Sequence, residues 1–158
     1  MTEKELAEYI RLFHGTVFRL GYSYVKNRED AEDICQEAFL RLYRSEQSFA
    51  ADENVKAWLL RVTVNLSKNL LKSSWLTKRA ELTEDIPCES KEESALLHSI
   101  KALPPKYGGA LYLYYYEDYS TKEISTIMGI SVSAVTTRLA RARKLLKELL
   151  LKEGYNEK

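Results

Sequence analysis

Cysteine, histidine, proline and glycine are all scarce in this chain of 158 residues, and each scarcity removes a class of protein. The two cysteines cannot build a disulfide framework. Cys35 sits among apolar neighbours at helical spacing and is expected to be a reduced core thiol, whereas Cys88 lies in an acidic stretch and reads as an incidental surface thiol. His14 and His98 stand alone without ligand spacing, so neither a metal nor any other cofactor is expected. There is also no phosphate-binding glycine loop, nucleophile elbow or His/Cys cluster, so an enzyme is not expected. No apolar run approaches the roughly 18 residues that span a bilayer, and MTEKELAEY lacks the regions of a signal peptide. The expected place is the cytosol, with no membrane contact of its own. Only six Gly and three Pro against 45% hydrophobic residues leave a packed, mostly helical protein.

A net charge of +1 hides a strong asymmetry. Residues 119–152 carry seven Lys or Arg against two Glu, whereas residues 81–93 carry six acids and one Lys. A basic module joined to an acidic spacer has that profile, and the basic end suits a polyanion. Hydrophobic periodicity predicts an all-α fold of two small helical domains joined by a flexible acidic linker: 1–76, then 77–93, then 94–158. Leu6, Ile10, Phe13, Val17, Leu20 and Tyr24 mark the inner face of a first helix over about 2–25. Asn27 then caps a second helix with acids in its opening turns, Arg41 and Arg44 near its end, and Ala31, Ile34, Cys35, Ala38 and Leu42 as its core stripe. A third, over about 54–72, is expected to bury Val55, Leu59, Val62, Leu66 and Leu70 while Arg61, Asn65, Lys68 and Lys72 share another face. The second half starts with a helix over 94–102, breaks at Pro104 and Pro105, and resumes through Tyr116. The run Leu111 to Tyr116 has strand propensity but lies between helical signals and has no hairpin partner, so helix is expected.

The segment YSTKEISTIMGISVSAVTTRLARARKLLK is the most informative part of the chain. Ser120 with Glu123 forms the capping-box pattern, Ile124, Ile127 and Met128 fall on one face, and Gly129 supplies the left-handed residue that ends a short helix. Ser131 can cap the next helix, where Val135, Leu139, Ala142 and Leu146 form the buried stripe. Ser133, Thr136, Thr137, Arg138 and Arg141 are left exposed or flanking. A helix-turn-helix whose second helix is polar and then basic makes double-stranded DNA the first candidate partner, because such a helix lies in the major groove.

Three strings point the same way in order: DAEDICQEAFLRLYR, VKAWLLRVTVNLSKN, and ALPPKY followed by the helix-turn-helix. Together they resemble the extracytoplasmic-function (ECF) group of bacterial RNA polymerase sigma factors, over about residues 13–149. The resemblance implies a region-two domain followed by a region-four domain. It implies that Glu32, Asp33, Gln36 and Glu37 face core RNA polymerase, with Phe39 and Tyr43 at the edge. Residues 32, 33, 36, 37, 40 and 43 indeed share one face opposite the core stripe. It places Arg61, Asn65, Lys68 and Lys72 against the minus-10 element and the melted non-template strand, and loop 45–53 at a pocket for a flipped base. Trp58 matches the family's usual aromatic, though core packing is the commoner role for such a residue. Ser131, Ser133, Thr136, Thr137, Arg138, Arg141 and Arg143 fall on the part implied to read the minus-35 element. Lys144 and Lys147 extend its electrostatic footprint. A cognate anti-sigma factor is a further implied partner.

Two departures from the family pattern stand out. Gly108 and Gly109 occur where many relatives carry charged or bulky residues, and two glycines inside a helix cost about 1 kcal/mol each relative to Ala. Thr136 stands where Lys is common, which removes a positive charge from the recognition helix. The alternative reading is a stand-alone helix-turn-helix regulator. It leaves the first-half strings unexplained and calls for a dimerisation element that the sequence does not offer.

Overall fold

The computed structural model describes residues 1–72 and 90–152, and the chain divides into two compact units, Met1–Asp85 and Ile86–Lys158. Among the described residues there are seven helices and no strand. The first unit contains α1 (Glu3–Val25), α2 (Arg28–Arg44) and α3 (Asp52–Leu71). The second contains α4 (Lys91–Ala102), α5 (Pro105–Tyr115), α6 (Thr121–Met128) and α7 (Val132–Lys152). Of the expected linker 77–93, α4 takes the last three residues, and 77–89 lie outside the described residues.

In the first unit α1 packs against both α2 and α3, which also touch each other. The connection from α1 to α2 is only two residues long and is fixed by buried polar groups. Lys26 ends α1 in the left-handed conformation at φ 61°. Asn27, 3% exposed, then donates from Nδ2 to the Val25 carbonyl at 3.1 Å and to Asp30 Oδ2 at 2.8 Å, while its Oδ1 accepts from the Asp30 amide at 2.9 Å. One side chain thus caps α2 and holds the end of α1. The dipole of α2 is matched by Glu29 and Asp30 in its first turn and Arg41 and Arg44 in its last.

Its core stripe is as expected, with Ala31, Ile34, Cys35, Ala38 and Leu42 all buried. Two other stripes differ. On α1, Ile10 is exposed and Leu6 half-buried, whereas from Thr16 to Val25 every residue except Arg19 is buried. The C-terminal half is therefore enclosed on nearly all sides and the N-terminal turns are not. On α3 the buried set is Val55, Leu59, Leu60, Thr63, Val64 and Ser67, and the expected Val62, Leu66 and Leu70 are only half-buried. The inner face is rotated by about one residue because small polar side chains can occupy it: Thr63 Oγ1 donates to the Leu59 carbonyl at 2.7 Å and so satisfies its own hydroxyl.

In the second unit α5 packs on α4, α6 and α7. Leu97, Ile100 and Leu103, then Ala110 to Leu113, Ile124, Ile127 and Met128, and Val135, Leu139 and Ala142 build the core. The tyrosine-rich run is helical, as expected, with Tyr112 buried and Tyr114, Tyr115 and Tyr116 exposed. Pro105 occupies the first turn of α5, where its missing N–H costs nothing. Gly108 has a packing reason: a Cβ there would lie 3.2 Å from the Ile100 carbonyl oxygen. The glycine lets α5 approach the backbone of α4, which offsets part of its low helix propensity.

The helix-turn-helix forms as its signals require. Ser120 and Glu123 make both bonds of a capping box, at 3.1 and 2.9 Å, and Gly129 ends α6 at φ 69°. Ser131 Oγ accepts from the Ala134 amide at 3.0 Å at the start of α7.

Asn27→Ala removes a helix cap together with a buried bond to a carboxyl group, so it should destabilise the first unit by about 2 to 4 kcal/mol. Urea unfolding of the variant, followed by far-UV circular dichroism, measures this. A loss below about 0.5 kcal/mol, the level of an ordinary surface substitution, would mean the corner does not hold α1 and α2 together.

Candidate nucleic-acid interface and docking faces

On α2 the sixfold set expected to dock a protein divides by burial. Asp33, Gln36 and Tyr43 are exposed, and Leu40, which shares their face, is 44% exposed. Glu37 is half-buried, with Arg41 Nε 3.8 Å from its Oε2. Glu32 turns toward α1, where its Oε2 lies 3.2 Å from His14 Nε2. Phe39, expected at the edge of this face, is 5% exposed, so it packs in the core and supports the face from beneath. The outward stripe is therefore Asp33, Gln36, Leu40 and Tyr43, acidic at one end and apolar at the other. Leu40 was absent from the expected contacts, although its position on the face was legible from the helical period.

On α3, Arg61, Asn65 and Lys72 are exposed and Lys68 is half-buried, all on one side of the helix. Asn65, Lys68, Asn69, Leu71 and Lys72 line a shallow concavity at the C-terminal end. Asn69 adds a second amide that the sequence reading did not single out. The loop before α3 is anchored by aromatic contact: Phe49 meets Trp58 edge to face, with centroids 6.0 Å apart. Trp58 is half-buried, so it is neither a closed core residue nor an open stacking platform.

On α7, Ser131, Ser133, Thr136, Thr137, Arg141 and Arg143 are exposed and Arg138 is half-buried. The threonine hydroxyls are turned back on their own helix. Thr136 Oγ1 donates to the Val132 carbonyl and Thr137 Oγ1 to the Ser133 carbonyl, each at 3.1 Å. Their outward surface is thus methyl groups and oxygen lone pairs. The arginines split. Arg143 donates from Nη1 to the Tyr115 hydroxyl at 3.0 Å and lines a groove with α4 and α5, which draws it away from the outer face. Arg141 is bound to Tyr107, whose hydroxyl pKa is lowered, first by that hydrogen bond and then by the charges of Lys106 and Arg141. Opposite the apolar stripe, the period of the helix aligns Ser133, Thr137 and Lys144.

Two all-helical units, the second ending in a helix-turn-helix with a polar outer helix, form a bipartite helical protein whose second half is of a DNA-binding type. Residues 9–77 match Sigma-70 region 2, and residues 93–146 match Sigma-70, region 4. The RNA polymerase sigma factor SigV of Bacillus subtilis is 32% identical, with 88% of this chain and 87% of SigV covered. The ECF RNA polymerase sigma factor SigE of Mycolicibacterium smegmatis is 30% identical over 93% of this chain, which spans 62% of SigE. The chain belongs to the ECF RNA polymerase sigma factors, proteins of transcription initiation. Solved structures agree on the fold. The sigma factor RpoE of Bartonella quintana, in complex with the anti-sigma factor NepR, superposes with a TM-score of 0.73 at 20% identity, covering 93% of this chain and 97% of RpoE. CnrH, in complex with the cytosolic domain of CnrY, gives 0.69 at 19% identity, with 97% and 92% covered. No helix of the described residues is long and apolar enough to cross a membrane.

Arg141→Ala removes the donor and a nearby charge from Tyr107, so the Tyr107 hydroxyl should titrate at higher pH, back toward the ordinary tyrosine range near about 10. NMR titration with ring-labelled tyrosine resolves it. An unchanged midpoint would mean that Arg141 is not held by Tyr107.

Proposed function

We propose that this chain binds core RNA polymerase through the α2 stripe, reads and helps to open the minus-10 element with α3, and reads the minus-35 element with α7. The observation that carries the reading is the pair of solvent-facing rows, Arg61–Asn65–Lys72 on α3 and Ser133–Thr137–Lys144 on α7, in a chain that matches both sigma regions in order. Each row opposes a buried stripe of its own helix, so DNA can be met without disturbing the core. Cations on the rows supply the salt-dependent part of the affinity through phosphate contacts. Amides are suited to base edges, and Asn65 beside Asn69 offers two of them. Extruding a base costs a few kcal/mol, and a pocket formed by the loop over 45–51 and the start of α3 would return part of that by capturing it. Opening by capture needs no chemistry, so the protein acts as a non-enzymatic factor. Its place of work is the bacterial cytoplasm, where polymerase and promoter are found.

The linker acids Glu81, Glu84, Asp85 and Glu89 fall outside the described residues. Their proposed role is to lie along a channel built for a polyanion. Of the two solved structures with this fold, one is a complex with the anti-sigma factor NepR and the other a complex with the cytosolic domain of CnrY, which supports a cognate anti-sigma factor as a further partner. The stand-alone regulator gains no support, because the region-two match covers its unexplained half.

The test separates docking, recognition and melting. Asp33→Lys with Glu37→Lys should abolish co-purification with core polymerase and leave helical content unchanged. Arg138→Ala or Arg141→Ala should weaken binding at the minus-35 element by about 1 to 3 kcal/mol if the side chain pairs with a base, or lower the salt slope if it touches only phosphate. Asn65→Ala should instead reduce permanganate reactivity of the melted strand on a promoter that the holoenzyme still binds. Normal polymerase yield from the double variant sinks the α2 assignment. Normal melting by Asn65→Ala with normal binding by both arginine variants sinks the DNA faces.

A further inference from the structure

Beneath the outward stripe of α2, the first unit brings together three potential metal ligands that sequence spacing did not reveal. Glu32 and Cys35 stand at i and i+3 on α2, Glu32 at the border between the outward face and the core stripe, and both approach His14 of α1. His14 Nε2 lies 3.2 Å from Glu32 Oε2, and one ligand atom from each of His14, Glu32 and Cys35 lies within 4.8 Å of the others. Cys35 is buried, at 2% exposure, while the His14 and Glu32 side chains are 42% and 45% exposed. The group is therefore open to solvent on one side and anchored in the core on the other.

We propose that His14, Glu32 and Cys35 form a binding site for a thiophilic divalent cation of the zinc class, with solvent in the fourth position. The donor set decides the metal. One thiolate, one imidazole and one carboxylate suit zinc, whereas magnesium and calcium call for oxygen alone. Tetrahedral zinc, with ligands at about 2.0 to 2.3 Å, places its donors about 3.3 to 3.8 Å apart, so the cluster must contract by only about 1 Å. That motion falls on Glu32 and His14, whose side chains are half in solvent, and Cys35 provides the fixed point. Cys35 and Glu32 as anions balance the charge of the ion.

A cysteine thiol without metal carries its proton at neutral pH. Binding breaks the S–H bond, forms the metal–sulfur bond and sends the proton to solvent, so each metal bound at this site should release one proton. The site links α1 to α2, so occupancy should also stabilise the first unit against unfolding. None of this depends on the polymerase and promoter assignments.

The experiment is titration of the reduced full-length protein with Zn2+ and, separately, with Co2+. Wild type should bind one equivalent of Zn2+ with proton release in calorimetry across buffers of different ionisation enthalpy, and its melting temperature should rise. Co2+ should give a thiolate-to-cobalt charge-transfer band, and Mg2+ should do neither. Cys88→Ser should behave as wild type, which separates Cys35 from the other thiol. Cys35→Ala should lose the band, and His14→Gln, on a half-exposed surface position, should weaken Zn2+ by at least about tenfold without unfolding the protein. If Cys35→Ala does not fold, His14→Gln and Cys88→Ser still decide the matter. No Zn2+ binding by wild type, a band that follows Cys88, or His14→Gln binding as tightly as wild type would each overturn the proposal. Polymerase co-purification of His14→Gln, measured in parallel, reports on the docking face independently.

Discussion

Asn27 is the point on which the first unit turns. A two-residue corner between long helices leaves the rotation of the second helix underdetermined unless something fixes it, and here a buried amide bonds both the last carbonyl of α1 and the first turn of α2. With that corner set, Ile34, Ala38 and Leu42 must face inward, and Asp33, Gln36, Leu40 and Tyr43 must face outward. The same rotation places Glu32 and Cys35 beneath His14. Each buried aliphatic side chain of the stripe contributes about 1.5 to 3 kcal/mol, so the stripe as a whole outweighs the corner. The corner's contribution is specificity: apolar burial is non-directional, whereas its hydrogen bonds accept one geometry.

The second unit solves a different problem, fixing the rotation of α7 while leaving its outer face clean. The capping box and Gly129 fix both ends of α6, and Ser131 fixes the start of α7 one turn later. Because α7 buries Val135, Leu139 and Ala142 along one side, its rotation is set by the core. Gly108 contributes from a distance, since the close approach of α5 to the Ile100 carbonyl tightens the platform on which α7 lies. The glycine pair that looks like a defect in a lone helix is thus, at Gly108, a fit between two.

Legibility in the sequence followed the number of independent local signals. The helix-turn-helix was readable almost residue by residue because caps, glycine and apolar spacing all lie within about one turn of what they determine. α3 was readable as a helix but not in its rotation. Its apolar residues cover more than half the circumference, so Val62, Leu66 and Leu70 made as good a stripe as the observed one, and buried Thr63 and Ser67 carried no apolar mark. On α1 the period was right, but Leu6 and Ile10 lie at the end that the core does not enclose, which is a tertiary fact. For Phe39 and Arg143 the resemblance implied a role but not an orientation, which a neighbour decides, the core for one and Tyr115 for the other. The His14, Glu32 and Cys35 cluster joins residues 18 or more positions apart on two helices, and no local pattern encodes it.

The threonines of α7 give the proposed reading its physical character. A hydroxyl that donates to its own helix is no longer a free donor, so Thr136 and Thr137 present acceptors and methyl groups outward. Such a surface discriminates through the thymine methyl and through base donors such as the cytosine and adenine amino groups, without bidentate guanine contacts. With Arg143 bound to Tyr115 and Arg141 to Tyr107, the cations next to the outer row are held at its flanks, where phosphates lie. Lys144, in line with Ser133 and Thr137, remains as the cation on the row itself. In the proposed reading, held cations would position the helix and the small polar row would specify the sequence, a division that follows from which side chains the second unit has already engaged.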